Sequence, residues 1–140
     1  MAIFLNNKVG FKIATVNLSD HVTAFTLNRV VDAIEVTAMG DTAHKMVAGL
    51  ASDTITVSFL NDTAAGSVLA TLQSAFGSTV AFQAIQDSST AVSATNVLYS
   101  GTIFVDNLTD INGAVADEAM IDITFTCNSK TAYATTGTWS

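Results

Sequence analysis

Proline is absent from all 140 residues. Proline cannot donate to a β-ladder, so its absence suits a chain built mainly of strands. Cysteine occurs once, as Cys127, which excludes an internal disulfide and fits synthesis in a reducing cytoplasm. Strong bases are scarce: Lys8, Lys12, Arg29, Lys45 and Lys130 stand against twelve carboxylates, a net charge of −7. Nucleic acid is gripped by clustered Lys and Arg that neutralise phosphates, and these five are scattered. Direct nucleic-acid binding is therefore not expected. No apolar run approaches the roughly 18–20 residues of a membrane helix. The opening MAIFLNNKVGFK lacks the basic-then-apolar layout of a signal peptide. Membrane insertion is not expected either.

Charged residues make up only 12% of the chain while hydrophobic ones reach 49%. That charge share is about half the usual one. A free monomer relies on surface charge for solubility, so a surface this poor in charge points to coverage by neighbouring subunits. The length fits a single domain, residues 1–140, with a core large enough to need no covalent staples.

Period-two alternation marks the strands. In residues 53–60, Ile55, Val57 and Phe59 share one face and Thr54, Thr56 and Ser58 the other. In residues 120–127, Ile121, Ile123, Phe125 and Cys127 oppose Asp122, Thr124 and Thr126. These patterns predict half-buried antiparallel strands with a hydroxyl-rich second face. Residues 11–18, 22–29, 31–37, 79–85 and 98–106 complete a set of about seven or eight. Asp87-Ser88-Ser89 and the stretch around Asn112-Gly113 read as turns.

One segment, about 62–76, has helical spacing instead. Asp62 is placed to cap it, Ala65, Val68, Leu69, Leu72 and Phe76 fall on one side, and Gly77 sits at the left-handed C′ position. Leu72 and Phe76 are expected against the sheet. The fold class is therefore mainly β: an antiparallel β-sandwich or open barrel with one flanking α-helix and a long inter-strand loop at about 38–52. Compact domains seldom keep so long a connection without a use for it. Its apolar residues Met39, Met46, Val47 and Leu50 suggest a surface that another protein covers.

Catalytic and metal chemistry find little support. Asp20-His21 is an acid–imidazole pair by sequence, but neighbours in a strand point to opposite faces. His44 follows Asp41 by three residues without the further ligands a metal needs. Asp117-Glu118 and Asp106 with Asp110 lie at strand ends and turns, where acids are ordinary, and the spacing of Asp106, Asp110 and Asn112 is not that of an EF-hand. No phosphate loop or nucleophile elbow occurs, and Gly40-Asp41-Thr42 reads as a turn. Cys127, in an alternating strand, reads as a structural thiol. The expectation is a non-enzyme without cofactor or metal. Tyr133 and Trp139 lie in the Thr-rich tail TAYATTGTWS, which is expected either to hang free or to pack on a neighbour.

Several short patterns then line up in order. Glu35-Val36-Thr37, Gly40-Asp41-Thr42-Ala43 and Ala48-Gly49-Leu50 are followed by Asn61-Asp62 and the helix. Val92-Ser93-Ala94-Thr95-Asn96, Tyr99-Ser100-Gly101 and the strand at 120–127 come next. Together they cover most of the chain, and in this order they resemble the major tail tube proteins of long-tailed, siphovirus-type bacteriophages. The resemblance implies the same β-sandwich with a flanking helix. It also implies a virion tail subunit, assembled in the host cytoplasm, that forms stacked hexameric rings around a channel for DNA. Partners would be further copies of itself, a tail tip or baseplate initiator and a tail terminator.

On that footing Met39, His44, Met46, Val47 and Leu50 are expected between rings, and Asp32, Glu35 and Asp122 along an acidic lumen. An acidic wall repels phosphates, so DNA would pass without specific binding. The alternatives are a capsid decoration or other β-rich virion protein, and then a ligand-binding β-sandwich.

Overall fold

The computed structural model describes residues 8–61, 67–111, 113, 115–116 and 120–139. Ten strands and one α-helix form among them: β1 (Gly10–Ile13), β2 (Val16–Asn17), β3 (Val22–Asn28), β4 (Val31–Glu35), β5 (Met46–Ala51), β6 (Thr54–Leu60), α1 (Val68–Ala75), β7 (Thr79–Ile85), β8 (Leu98–Phe104), β9 (Met120–Cys127) and β10 (Ala132–Ala134). Eight of the strands make one antiparallel sheet in the order β2-β1-β7-β8-β9-β6-β3, with β10 also on β8. The mainly β architecture with a flanking helix agrees with the sequence pattern.

The sheet closes over itself at β8. Its second half pairs β9 only through Ile103 with Cys127 and Phe104 with Thr126, while its first half pairs β10. On its other side β9 pairs with β6 along its length, from Thr126 to Met120. The two wings then face each other as a sandwich. Phe11 of β1 lies 5.0 Å from Phe25 of β3 and 6.1 Å from Phe59 of β6, centroid to centroid. The alternating residues behave as their period requires: Ile55, Val57, Phe59, Ile121, Ile123 and Phe125 are all buried.

Helix α1 adds Val68, Leu72 and Ala75 to the same core, at the i, i+4, i+7 spacing of one helical stripe. The helix is shorter than the expected 62–76. Asp62 and Ala65 lie outside the described residues, and Phe76 has already left the helix at φ −58°, ψ 126°. Its side chain therefore departs from the stripe and is 52% exposed, not packed on the sheet as expected. Gly77 does take the left-handed conformation, φ 80°, and its N–H donates to Val105 O at 2.7 Å.

Four further expectations change. The run 11–18 is not one strand: Ala14 takes φ 54° and, with Thr15, turns β1 into β2, a tight hairpin made without the glycine or asparagine that usually announces one. Asp20 and His21 lie in a 3-10 turn, Ser19–His21, and not in a strand. The segment 38–52 is not all loop, because its second half forms β5 against β4. The tail belongs to its own domain, with Ala132–Ala134 as β10 on β8 and Tyr133 edge-on to Tyr99.

Candidate assembly surfaces

Among the described residues, strands β4 and β5 pair only with each other and form a separate two-stranded sheet, an arm inserted between β3 and β6. At its root Ser52 N–H donates to Val30 O at 2.7 Å, and toward the tip Val36 N–H donates to Lys45 O at 2.8 Å. The tip is held by local polar contacts. Asp41 receives the Ala38 N–H at 2.8 Å and the Lys45 ammonium at 2.6 Å, and Lys45 N–H reaches Thr37 Oγ1 at 2.9 Å. The Lys45 contact, aided by the Ala38 N–H, holds the Asp41 carboxyl below its usual range. His44 Nδ1 meets Glu35 Oε1 at 3.0 Å.

What the arm lacks is a core. Every residue of β4 is exposed, and on β5 only Gly49 and Ala51 are half-buried. Ile34 pairs Val47 on one face, while Glu35 pairs Met46 and Ala33 pairs Ala48 on the other. Both faces thus carry apolar side chains in the open. Val30, Val31, Val36, Met39 and Leu50 add to them, Met39 being wholly exposed and Leu50 81% exposed. An isolated two-stranded sheet is at best marginal in water. Concentrated exposed apolar surface of this kind marks an interaction site.

All five residues expected between rings, Met39, His44, Met46, Val47 and Leu50, lie on this arm and are exposed. Ile34 and Val36 belong with them and went unnoticed. Neither face of β4 meets the core, so no period-two alternation marks these two residues in the sequence.

The three acids expected along a lumen are not brought together within one subunit. Asp32 and Glu35 lie on the arm, three positions apart on β4 and therefore on opposite faces. Asp122 lies on β9 in the main sheet. There it receives the Ser58 hydroxyl, and the rows Asn28–Thr54–Thr126, Thr26–Thr56–Thr124 and Ala24–Ser58–Asp122 run across β3, β6 and β9. The outward face of this wing is thus hydroxyl-rich, with one carboxylate and no base in those rows.

Among the described residues, strand β3 is the last strand of the sheet and pairs only with β6. Along its other side runs a groove of about 870 Å³, lined by Val22, Phe25, Leu27 and Arg29 of that region and by Ile85 and Tyr99 opposite. The Arg29 guanidinium lies 5.9 Å from the Tyr99 ring centre.

Residues with catalytic or ligating chemistry are dispersed. Among the described residues no three His, Cys, Asp or Glu side chains converge as a metal set. Burial raises the Cys127 thiol above its ordinary value, which keeps it protonated and weakens it as a nucleophile. Asp87 is held below its usual range by the Ser89 hydroxyl and N–H and the Thr90 hydroxyl, the side-chain bonds of a local turn. Asp117, Glu118 and Asn112 lie outside the described residues.

No protein-family model matches the sequence, and no curated protein matches it. Solved structures do share the fold. The chain is similar to one in the virion of a native gene transfer agent particle, with a TM-score of 0.73 at 11% identity, covering 94% of this chain and 99% of that one. It is also similar to one in the tail of an empty gene transfer agent particle with C6 symmetry, with a TM-score of 0.64 at 15% identity, covering 81% and 82%. The fold is thus one that phage-like virions and their tails contain.

Proposed function

We propose that this chain is a structural, non-catalytic subunit of a phage-type virion tail, forming rings that stack into a tube through which DNA passes. The arm carries this reading: strands with apolar side chains open on both faces have no reason to persist in a lone subunit. Burying one such side chain is worth roughly 1.5–3 kcal/mol, and in a polymer every subunit repeats the gain. The fold likeness to a chain from a six-fold symmetric tail supports a ring of six. The outer edge of β3, without a strand partner among the described residues, supports lateral contact, because such an edge offers backbone groups to a neighbour. The arm then serves contact between rings, through Met39, His44, Met46, Val47 and Leu50.

The hydroxyl-rich wing around Asp122 is the suitable lining for the channel. A wall that carries carboxylate and no base gives phosphates nothing to exchange counterions with, so DNA slides without being held. Asp32 and Glu35 join that lining only where the arm of one ring borders the lumen of the next. Tail tip or baseplate initiator and terminator proteins would start and stop the polymer, which assembles in the host cytoplasm.

Negative-stain electron microscopy of the purified protein, alone and with a tail-tip initiator, tests the proposal. Hollow tubes or rings of uniform diameter are the expected result. A protein that remains monomeric under all conditions, or that decorates capsids instead, overturns it.

A further inference from the structure

Lys12 is a buried cation with no carboxylate partner among the described residues. It is only 7% exposed, yet the ion pairs among the described residues are His44 with Glu35 and Lys45 with Asp41. Its ammonium lies 4.9 Å from the ring centre of Trp139. A cation–π contact offsets part of the cost of removing an ammonium from water, but it supplies no counter-charge. The indole is firmly seated, since it lies across Gly10 so closely that a Cβ there would come within 2.6 Å of its Cζ2. Beyond Lys12 opens a trough of about 580 Å³ on the outer face of β1, β7 and β8, walled by Thr15, Ala81, Gln83, Ser100 and Thr102. None of these is acidic.

The arm carries the complement. Glu35 and Met46 are direct cross-strand partners. Such positions hold their Cβ atoms about 4.5–5.5 Å apart, so the two strands present a carboxylate and a thioether side by side, as the corner presents an ammonium beside an indole. A carboxylate suits the ammonium as a charge-assisted partner, and a thioether suits the indole as a sulfur–aromatic contact. Glu35 is free to change partners, because its present pair with His44 is exposed on both sides and such pairs contribute little.

We propose that the Lys12–Trp139 corner and its trough receive the Glu35–Met46 pair from the arm of a second copy of this chain. This rests on the tail-subunit reading and names the residues through which its arm makes contact. The carboxylate pairs the buried cation, and the arm lays its apolar side chains along the small residues of the trough.

Zero-length carbodiimide cross-linking of assembled wild-type protein, read by mass spectrometry, tests it. A Lys12–Glu35 cross-linked peptide is expected from assemblies and not from unassembled subunits. Glu35→Lys, on the exposed arm, is expected to cut assembly at least ten-fold, and Lys12→Glu with Glu35→Lys to restore it. Assemblies in which Lys12 links to another acid, or to none, overturn the proposal while the tail-subunit reading stands, as does normal assembly of Glu35→Lys. Should the double variant fail to fold by circular dichroism, the cross-link decides. Wild-type protein that never assembles overturns both.

Discussion

Asp53 Oδ2 accepts the backbone N–H of Thr131 at 2.8 Å, joining positions 78 residues apart. Its other oxygen accepts the Val30 N–H at 3.2 Å. One buried carboxylate thus anchors the root of the arm and the entry to β10 together. Burial alone would raise this carboxyl, but the Thr131 and Val30 N–H groups and the nearby Arg29 charge outweigh it, and the carboxyl is held below its usual 3.8.

Asp53→Ala should cost about 1–3 kcal/mol of folding stability, the usual penalty for leaving a buried donor unpaired, measured by urea unfolding of the subunit. The pH dependence has a definite sign. A lowered folded-state pKa means that the carboxylate's contribution is complete above 3.8 and is lost as pH falls through the folded value. The stability gap between the parent and Asp53→Asn should therefore be full at neutral pH and shrink below 3.8. A gap that stays constant through that range would show that the charge of Asp53 contributes nothing.

The helix gives a sharper contrast. Leu72 is completely buried in the core and Phe76 is about half exposed beyond the helix end. Leu72→Ala should destabilise the isolated subunit by about 2–5 kcal/mol, the range for deleting a core leucine. Phe76→Ala should fall within about 0.5–1 kcal/mol of the parent. Equal losses in thermal unfolding would mean that Phe76 is packed after all.

Legibility in the sequence followed burial. Residues 54–60 and 120–127 could be placed because one face of each strand meets the core, so composition alternates with period two. Strand β5, MVAGLA, shows no such alternation because neither of its faces is buried within the subunit. It therefore passed for loop, and with it went the recognition that Ile34 and Val36 share its exposure. The Ala14-Thr15 turn carried no glycine to announce it. Asp53 read as the start of a strand, and its two backbone partners became visible only when the chain had brought Val30 and Thr131 together. Lys12 and Trp139 stand at opposite ends of the chain, and no local pattern links them.

The arm itself permits a clean excision. Val30 O and Ser52 N are already hydrogen-bonded at 2.7 Å across its root, so a short Gly-Ser turn can bridge them without moving β3 or β6. No residue between them belongs to the buried core. Replacing residues 31–51 by such a turn should therefore leave a folded domain, with circular dichroism and thermal midpoint close to the parent's. The same variant loses Val31, Ile34, Val36, Met39, Met46, Val47 and Leu50, each worth roughly 1.5–3 kcal/mol if buried against a neighbour. Rings held by the β3 edge should still form, but they should not stack, and electron microscopy should show short discs in place of tubes. Tubes of normal length from this variant would remove the arm from the contact between rings, whatever their diameter.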